Sequence, residues 1–252
     1  MTTPLIVGNW KMNGLSADLG EARALADLLA QRPHHARAGL CPPATLIERM
    51  ARALAGTEVL IGGQDCHAEA FGAFTGEISA EMLAEAGASL VIVGHSERRA
   101  THRETDRLVR AKATAAVEAG LLPILCVGEN FAQRQANLAL DVVTGQVLHG
   151  LPQMLAGAAD AGERVCIAYE PAWAVGTDLV PTIDQIQEAH ATIRAALVHG
   201  LGPAGRDVNI LYGGSVNPHN AREILGAAEV GGALIGRASH KAAEFIEIIC
   251  AV

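Results

Sequence analysis

Eight short apolar runs, each bounded by Gly, Pro or Asn, recur along the chain and limit what it can fold into. They are Leu5–Val7, Ala38–Cys41, Val59–Ile61, Leu90–Val93, Pro123–Val127, Val165–Tyr169, Val208–Tyr212 and Ala233–Ile235. Each is mostly continuous rather than alternating, the pattern of strands buried on both faces. Between them lie segments with helical spacing. Ser16 is placed to cap one that presents Leu19, Ala22, Leu25, Leu28 and Leu29 on one face. Thr182 and Gln185 have the spacing of a capping box before Ile186, Ile193 and Leu197. Eight strands alternating with eight helices predict an α/β fold, a (β/α)8 barrel in a single domain spanning residues 1–252. An open doubly wound sheet alternates in the same way, but its usual phosphate fingerprints are missing: there is no GxxxxGK[ST], and the Gly cluster at Gly231, Gly232 and Gly236 is not GxGxxG.

Composition narrows the class. The 252 residues are 50% hydrophobic and 18% charged, which excludes a disordered chain. The formal net charge of −8 argues against a nucleic-acid surface or an anionic-membrane binder, so an anionic ligand must be held by local groups. Aromatics are 3% of the chain, so the core is built of Ala, Val, Ile and Leu. The cysteines, Cys41, Cys66, Cys126, Cys166 and Cys250, are odd in number and without a CxxC pair, which suggests neither a disulfide framework nor a zinc site. No signal peptide or membrane span is visible, and a cytoplasmic protein is expected.

A barrel carries its site at the C-terminal ends of its strands. There the sequence places Asn9-Trp10-Lys11-Met12-Asn13, Gly94-His95-Ser96-Glu97-Arg98-Arg99, Gly128-Glu129, Glu170 to Thr177, Gly213-Gly214-Ser215-Val216-Asn217 and Gly236-Arg237-Ala238-Ser239. Glu170 ends an apolar strand, where desolvation is expected to raise its pKa and strengthen it as a base. His95 can donate to a developing oxyanion, and Lys11 supplies a cation. The Gly213 and Gly236 turns suit a phosphate, the first as the opening of a helix N-terminus. Each residue alone has an ordinary reading: a paired strand-end glutamate, a structural histidine, a solvated lysine, a tight turn. Their convergence on one rim favours a site. Gly94-His95-Ser96-Glu97-Arg98 lacks the closing glycine of a nucleophile elbow, His34-His35 lack a third metal ligand, and Cys126 reads as packing.

These motifs, in this order and spacing, resemble the triosephosphate isomerase family from end to end. The resemblance implies a TIM barrel that interconverts dihydroxyacetone phosphate and D-glyceraldehyde 3-phosphate without metal or organic cofactor. It implies Glu170 as catalytic base, His95 as electrophile, Lys11 and Asn9 beside the substrate oxygens, and Glu97 as the carboxylate next to them. It implies phosphate contacts from Gly176, Ser215, Gly236 and Arg237, and a lid from Pro171 to Pro181 that includes Trp173, Gly176 and Thr177. Asp178, Arg237, Gly231 and His240 depart from the residues usual in the family. Gly72 to Glu77, with Phe74 and Thr75, resembles the family's dimerisation loop. The segment Asp65–Ser79 also carries Phe71, and a C2 homodimer with isologous contacts is expected. An epimerase-like barrel enzyme would share the phosphate turns but has no reason to carry the Lys11, His95 and Glu170 set. A non-catalytic sugar-phosphate binder would not need the base.

Overall fold

The computed structural model describes residues 2–174 and 181–252. Eight parallel strands close into a barrel: β1 (Leu5–Asn9), β2 (Arg37–Cys41), β3 (Leu60–Gly63), β4 (Leu90–Val93), β5 (Leu122–Val127), β6 (Cys166–Tyr169), β7 (Ile210–Tyr212) and β8 (Gly232–Ile235). They pair in chain order, and β1 closes the ring on β8 with Leu5 opposite Gly232. The open-sheet alternative is thereby excluded.

Among the described residues the helical layer has eleven α-helical segments rather than eight. They are α1 (Leu19–Gln31), α2 (Ile47–Ala53), α3 (Ala80–Glu85), α4 (Ser96–Thr101), α5 (Asp106–Glu118), α6 (Phe131–Gln135), α7 (Ala139–Gly150), α8 (Ala161–Arg164), α9 (Ile183–Leu201), α10 (Ala221–Leu225) and α11 (Ala242–Ile249). The surplus comes from two crossovers: β4 to β5 holds two helices, and β5 to β6 holds three. Strand ends also move. The third strand extends to Gly63, because glycines inside the barrel are invisible to an apolar pattern, and β7 begins at Ile210 rather than Val208.

The Thr182–Gln185 box forms as its spacing predicts: Gln185 N–H donates to Thr182 Oγ1 at 3.3 Å, and Thr182 N–H to Gln185 Oε1 at 2.9 Å. Ser16 is not a cap. It begins a 3-10 turn, Ser16–Asp18, that precedes α1, and its hydroxyl accepts from Arg49 instead. The apolar face of α1 is nonetheless the expected one, with Ala22, Leu25, Ala26 and Leu29 buried.

Strand pleating sorts the core into two layers. Leu5, Val7, Cys41, Leu90, Ile92, Ile124, Cys126, Cys166, Ala168, Leu211 and Leu234 fill the barrel interior. The residues between them, such as Ile6, Val91, Val93, Leu125, Ile167 and Ile235, pack outward against the helices. Both faces of the strands are buried, which is why the runs read as continuous. All five cysteines are free, and only Cys250 is not fully buried. Among the described residues no helix is long and apolar enough to cross a membrane.

Two buried polar groups tie the layers together. Lys112 donates to both oxygens of Asp65 (2.8 and 2.7 Å) and to Glu104 (2.6 Å), and Arg98 bonds the same two carboxylates. This pins the root of the Asp65–Ser79 loop to the β4–α5 region. On α9, His190 is fully buried, and its Nδ1–H donates to the Glu229 carbonyl at 3.1 Å. Among the described residues its Nε2 has no hydrogen-bond partner.

Burial holds the His190 pKa down to about 4 from an ordinary 6.5. Between those values the unfolded chain binds a proton that the folded chain does not, so stability falls as pH drops through 6.5 towards 4. The full loss should be about 3 kcal/mol. His190→Phe should flatten that part of an unfolding free energy versus pH curve, and an unchanged curve would show that His190 is not its source.

Candidate active site

The strand pleat continues past the barrel's inner layer and selects what reaches the rim. Two residues beyond inward-facing Val7, Ala168, Leu211 and Leu234 stand Asn9, Glu170, Gly213 and Gly236. All four line one cavity of about 670 Å³ together with Lys11, His95, Ser215 and Arg237. A Cβ on Gly213 would lie 2.7 Å from Glu170 Cγ, so only glycine leaves room for that carboxylate.

His95 is one residue out of this register. Gly94 corrects it by turning the chain at φ +66°, a conformation glycine adopts without strain. A side chain there would also stand 2.7 Å from Val109. His95 then caps α4, its Nδ1 accepting Glu97 N–H at 3.2 Å. That bond puts the proton of the neutral ring on Nε2, which faces Glu170 Oε1 at 3.0 Å. The other Glu170 oxygen accepts Ser96 N–H at 2.9 Å.

These contacts correct the expectation that Glu170 has a raised pKa. Burial alone would raise it, but the adjoining His95 ring and the Ser96 N–H outweigh burial and hold the carboxyl below its ordinary value. For His95, burial works to lower the pKa, while the charge and hydrogen bond of Glu170 prevail and raise it. Each member of the pair thus favours the charged form of the other.

Lys11 sits at φ +53°, in the left-handed region that lysine rarely occupies. Three bonds hold it there. Its N–H donates to Asn9 Oδ1 at 3.0 Å, its carbonyl accepts from Gln64 Nε2 at 2.8 Å, and its Nζ donates to Glu97 Oε1 at 2.6 Å. Gln64 also bonds the Cys41 carbonyl at 2.8 Å, tying the Lys11 turn to β2. Gln64 was not among the residues singled out from the sequence; its only signal is two-residue spacing from Leu60 and Gly62 along β3.

At the far side of the cavity, the turn carrying Ser215 is followed by α10, which begins only at Ala221. The N–H groups near Ser215 therefore belong to a turn, not to a helix N-terminus as the sequence suggested. Gly236 and Arg237 open the 3-10 turn Arg237–His240. His240 packs edge-on against Trp10, and its Nε2 lies 3.2 Å from the Trp10 carbonyl. Gly231 is absorbed into the barrel, its N–H donating to Ile210 O at 2.8 Å. Cys126 is fully buried and its thiol is pushed well above its ordinary pKa, chiefly by burial, which suits packing rather than nucleophilic chemistry.

Pro171 follows Glu170 directly, and Trp173 Nε1 donates to the fully buried Glu129 at 2.7 Å. Arg134 and Tyr169 OH bond the same carboxylate. Gly176, Thr177 and Asp178 lie outside the described residues. On the Asp65–Ser79 loop, Phe71 is 85% exposed and Phe74 42%, with Phe74 stacked at 4.1 Å on His67, and Thr75 is exposed beside them.

Comparison with known proteins gives a consistent result. A family model described as triosephosphate isomerase matches residues 4–252. The chain is 55% identical to triosephosphate isomerase of Caulobacter vibrioides over 99% of this chain and 96% of that one. It is also 55% identical to that of Afipia carboxidovorans, over 97% of this chain and 96% of the relative. The crystal structure of triosephosphate isomerase from Bartonella henselae superposes with a TM-score of 0.90 at 46% identity, covering 99% and 98% of the two chains.

Gln64→Met should leave the Lys11 carbonyl without its donor, while the Cys41 carbonyl keeps Trp10 N–H; the loss should cost about 1–3 kcal/mol and let the Lys11 turn relax. Steady-state kinetics should show kcat/KM reduced about tenfold or more. Full activity would mean that Lys11 keeps its position without Gln64.

Proposed function

The chain belongs to the triosephosphate isomerase family and interconverts dihydroxyacetone phosphate and D-glyceraldehyde 3-phosphate in glycolysis and gluconeogenesis; we propose that Glu170 is its base, His95 its electrophile and Lys11 its cation at the reacting oxygens. The observation that carries this reading is the 3.0 Å contact of His95 Nε2 with Glu170 at the mouth of a cavity that Lys11 also lines.

The chemistry follows from that contact. Glu170 releases the Ser96 N–H and His95 to reach the substrate, and in leaving them it loses the partners that depress its pKa. It then removes the proton on the carbon next to the carbonyl. His95 loses the carboxylate that raised its own pKa, which leaves a neutral ring with Nε2–H free to donate to the carbonyl oxygen. A neutral histidine in this role is the established case for this family. Negative charge on the resulting enediolate is met by Nε2–H and by Lys11 Nζ, both fixed before the reaction begins. Nε2 of His95 gives its proton to the former carbonyl oxygen and takes the proton of the neighbouring hydroxyl oxygen, which becomes the new carbonyl as the same carboxyl returns its proton to the neighbouring carbon; protons balance over the cycle and no metal or organic cofactor enters the scheme.

Glu97 and Asn9 fix the two ends of Lys11. Backbone N–H groups of Ser215, Gly236 and Arg237 hold the phosphate and keep a small substrate in reacting geometry. Gly176 joins them in this reading, and the segment from Pro171 to Pro181 covers the site. Support for the cover is the Glu129–Trp173 bond, which anchors its start; Thr177 belongs to the same segment. Closure of β1 on β8 supports a single barrel domain over residues 1–252. The substrate is a small anion, and a cytoplasmic location suits such a glycolytic enzyme. Neither a nucleic acid nor a membrane is a partner in this reading.

Association completes it. Phe71 and Phe74, with exposed Thr75 next to Phe74, supply apolar surface on the projecting loop, and Met12 beside Lys11 is 96% exposed. A C2 homodimer would bury both patches at once, the loop of one copy against the Lys11 turn of the other.

Glu170→Gln should keep inorganic phosphate as a competitive ligand while reducing kcat by about 10²–10⁴. The comparison is made on D-glyceraldehyde 3-phosphate with chelator present, and undiminished turnover would remove Glu170 from the mechanism. Sedimentation equilibrium should give twice the chain mass, and a fully active monomer at nanomolar concentration would contradict the dimer.

A further inference from the structure

The cavity has a charge imbalance at its phosphate end. Lys11 is committed to Glu97 at 2.6 Å, and His95 to Glu170 at 3.0 Å. Arg237 also lines the cavity and is exposed, and among the described residues its guanidinium makes neither an ion pair nor a hydrogen bond. Glu244 lies on the same rim without pairing with it.

The backbone that carries Arg237 is rigid. Ser239 N–H and Oγ donate to the Gly236 carbonyl at 3.0 and 2.7 Å, and Trp10 Nε1 holds Ser239 O at 3.1 Å. Ala238 and Ser239 are buried beneath the turn. The Lys11 stem passes on the other side, with Cε 3.9 Å from where a Gly236 Cβ would stand. An unpaired guanidinium carried on this held turn thus lines the same cavity as the Ser215 and Gly236 turns. Its planar fork matches phosphate oxygens, and it keeps its charge at every working pH.

We propose that the Arg237 guanidinium binds the phosphate dianion of the substrate directly and sets the preference of this enzyme for phosphorylated over unphosphorylated trioses. This rests on placing the phosphate at the Ser215 and Gly236 turns. The side chain adds charge where backbone groups alone supply only dipoles, and it offsets the repulsion that a chain of net charge −8 exerts on an incoming dianion.

Wild type, Arg237→Gln and Arg237→Lys are compared on D-glyceraldehyde 3-phosphate and on unphosphorylated D-glyceraldehyde, at low and high salt, with inorganic phosphate as the competing probe. For Arg237→Gln, KM for the phosphorylated substrate and Ki for phosphate should rise together by about five- to tenfold. The loss in kcat/KM should be several-fold larger for the phosphorylated substrate than for glyceraldehyde. The fall of kcat/KM with salt should become shallower, and lysine should restore part of the affinity. Phosphate that inhibits wild type and Arg237→Gln equally would overturn the proposal while leaving the phosphate site where it is. So would equal losses on both substrates. Phosphate that fails to compete even against wild type would overturn the placing of the phosphate, and the proposal with it.

Discussion

The contact on which the site depends is the buried Glu170 carboxylate held between His95 Nε2 and Ser96 N–H, at 3.0 and 2.9 Å. A carboxylate that is 2% exposed is tolerated only with partners, and these two supply them. The same partners make it a poor base in this arrangement, because they hold its pKa down against burial. Catalysis therefore requires the carboxylate to exchange these partners for substrate. Desolvation, which the sequence suggests as the source of basicity, acts only after that exchange. The free enzyme keeps its base ionised, and the act of leaving His95 and Ser96 makes it stronger.

Everything around the pair serves to fix groups that do not move. The barrel sets Asn9, Glu170, Gly213 and Gly236 at equivalent heights, because each follows an inward residue by one pleat repeat. Gly94 turns His95 into the same space. Lys11 keeps an unfavourable backbone conformation because Asn9, Gln64 and Glu97 each hold a different part of it. Strain concentrated at one functional residue and countered by three bonds is characteristic of preorganised sites, where reorganisation during reaction would be costly. Further from the chemistry, buried Glu104 and Lys112 form with half-buried Asp65 and Arg98 a network of balanced charge. It joins the projecting loop to the element that carries His95, so the surface proposed for association and the site share one framework.

Most of the barrel was legible because two-sided burial writes strands as continuous apolar runs, and seven of the eight strands begin at the start of those runs or within a residue of it. Where glycines replace apolar side chains, as at Gly62 and Gly63, the run stops before the strand does. The short helices α4, α6 and α8 carry too few buried residues to leave a periodic signal. Ser16 misled because a serine before an apolar face has the composition of a cap, while Arg49, distant in sequence, takes its hydroxyl. At the site, residue types that are chemically unusual at strand ends were visible. Gln64 and the Ser96 N–H were not: one is an ordinary residue type, and the other is backbone. The sign of the Glu170 pKa shift depends on partners 74 and 75 positions away in the chain, which no local pattern reports.

The central claim is that Glu170 is the group that meets the substrate carbon losing its proton. The most direct measurement treats the protein with a three-carbon ketone phosphate bearing a leaving group at that carbon, and locates the adduct by peptide mass spectrometry. The account requires one ester per chain, on Glu170, formed more slowly as inorganic phosphate is added. Labelling of Lys11, His95 or Cys126 with Glu170 unmodified would contradict it.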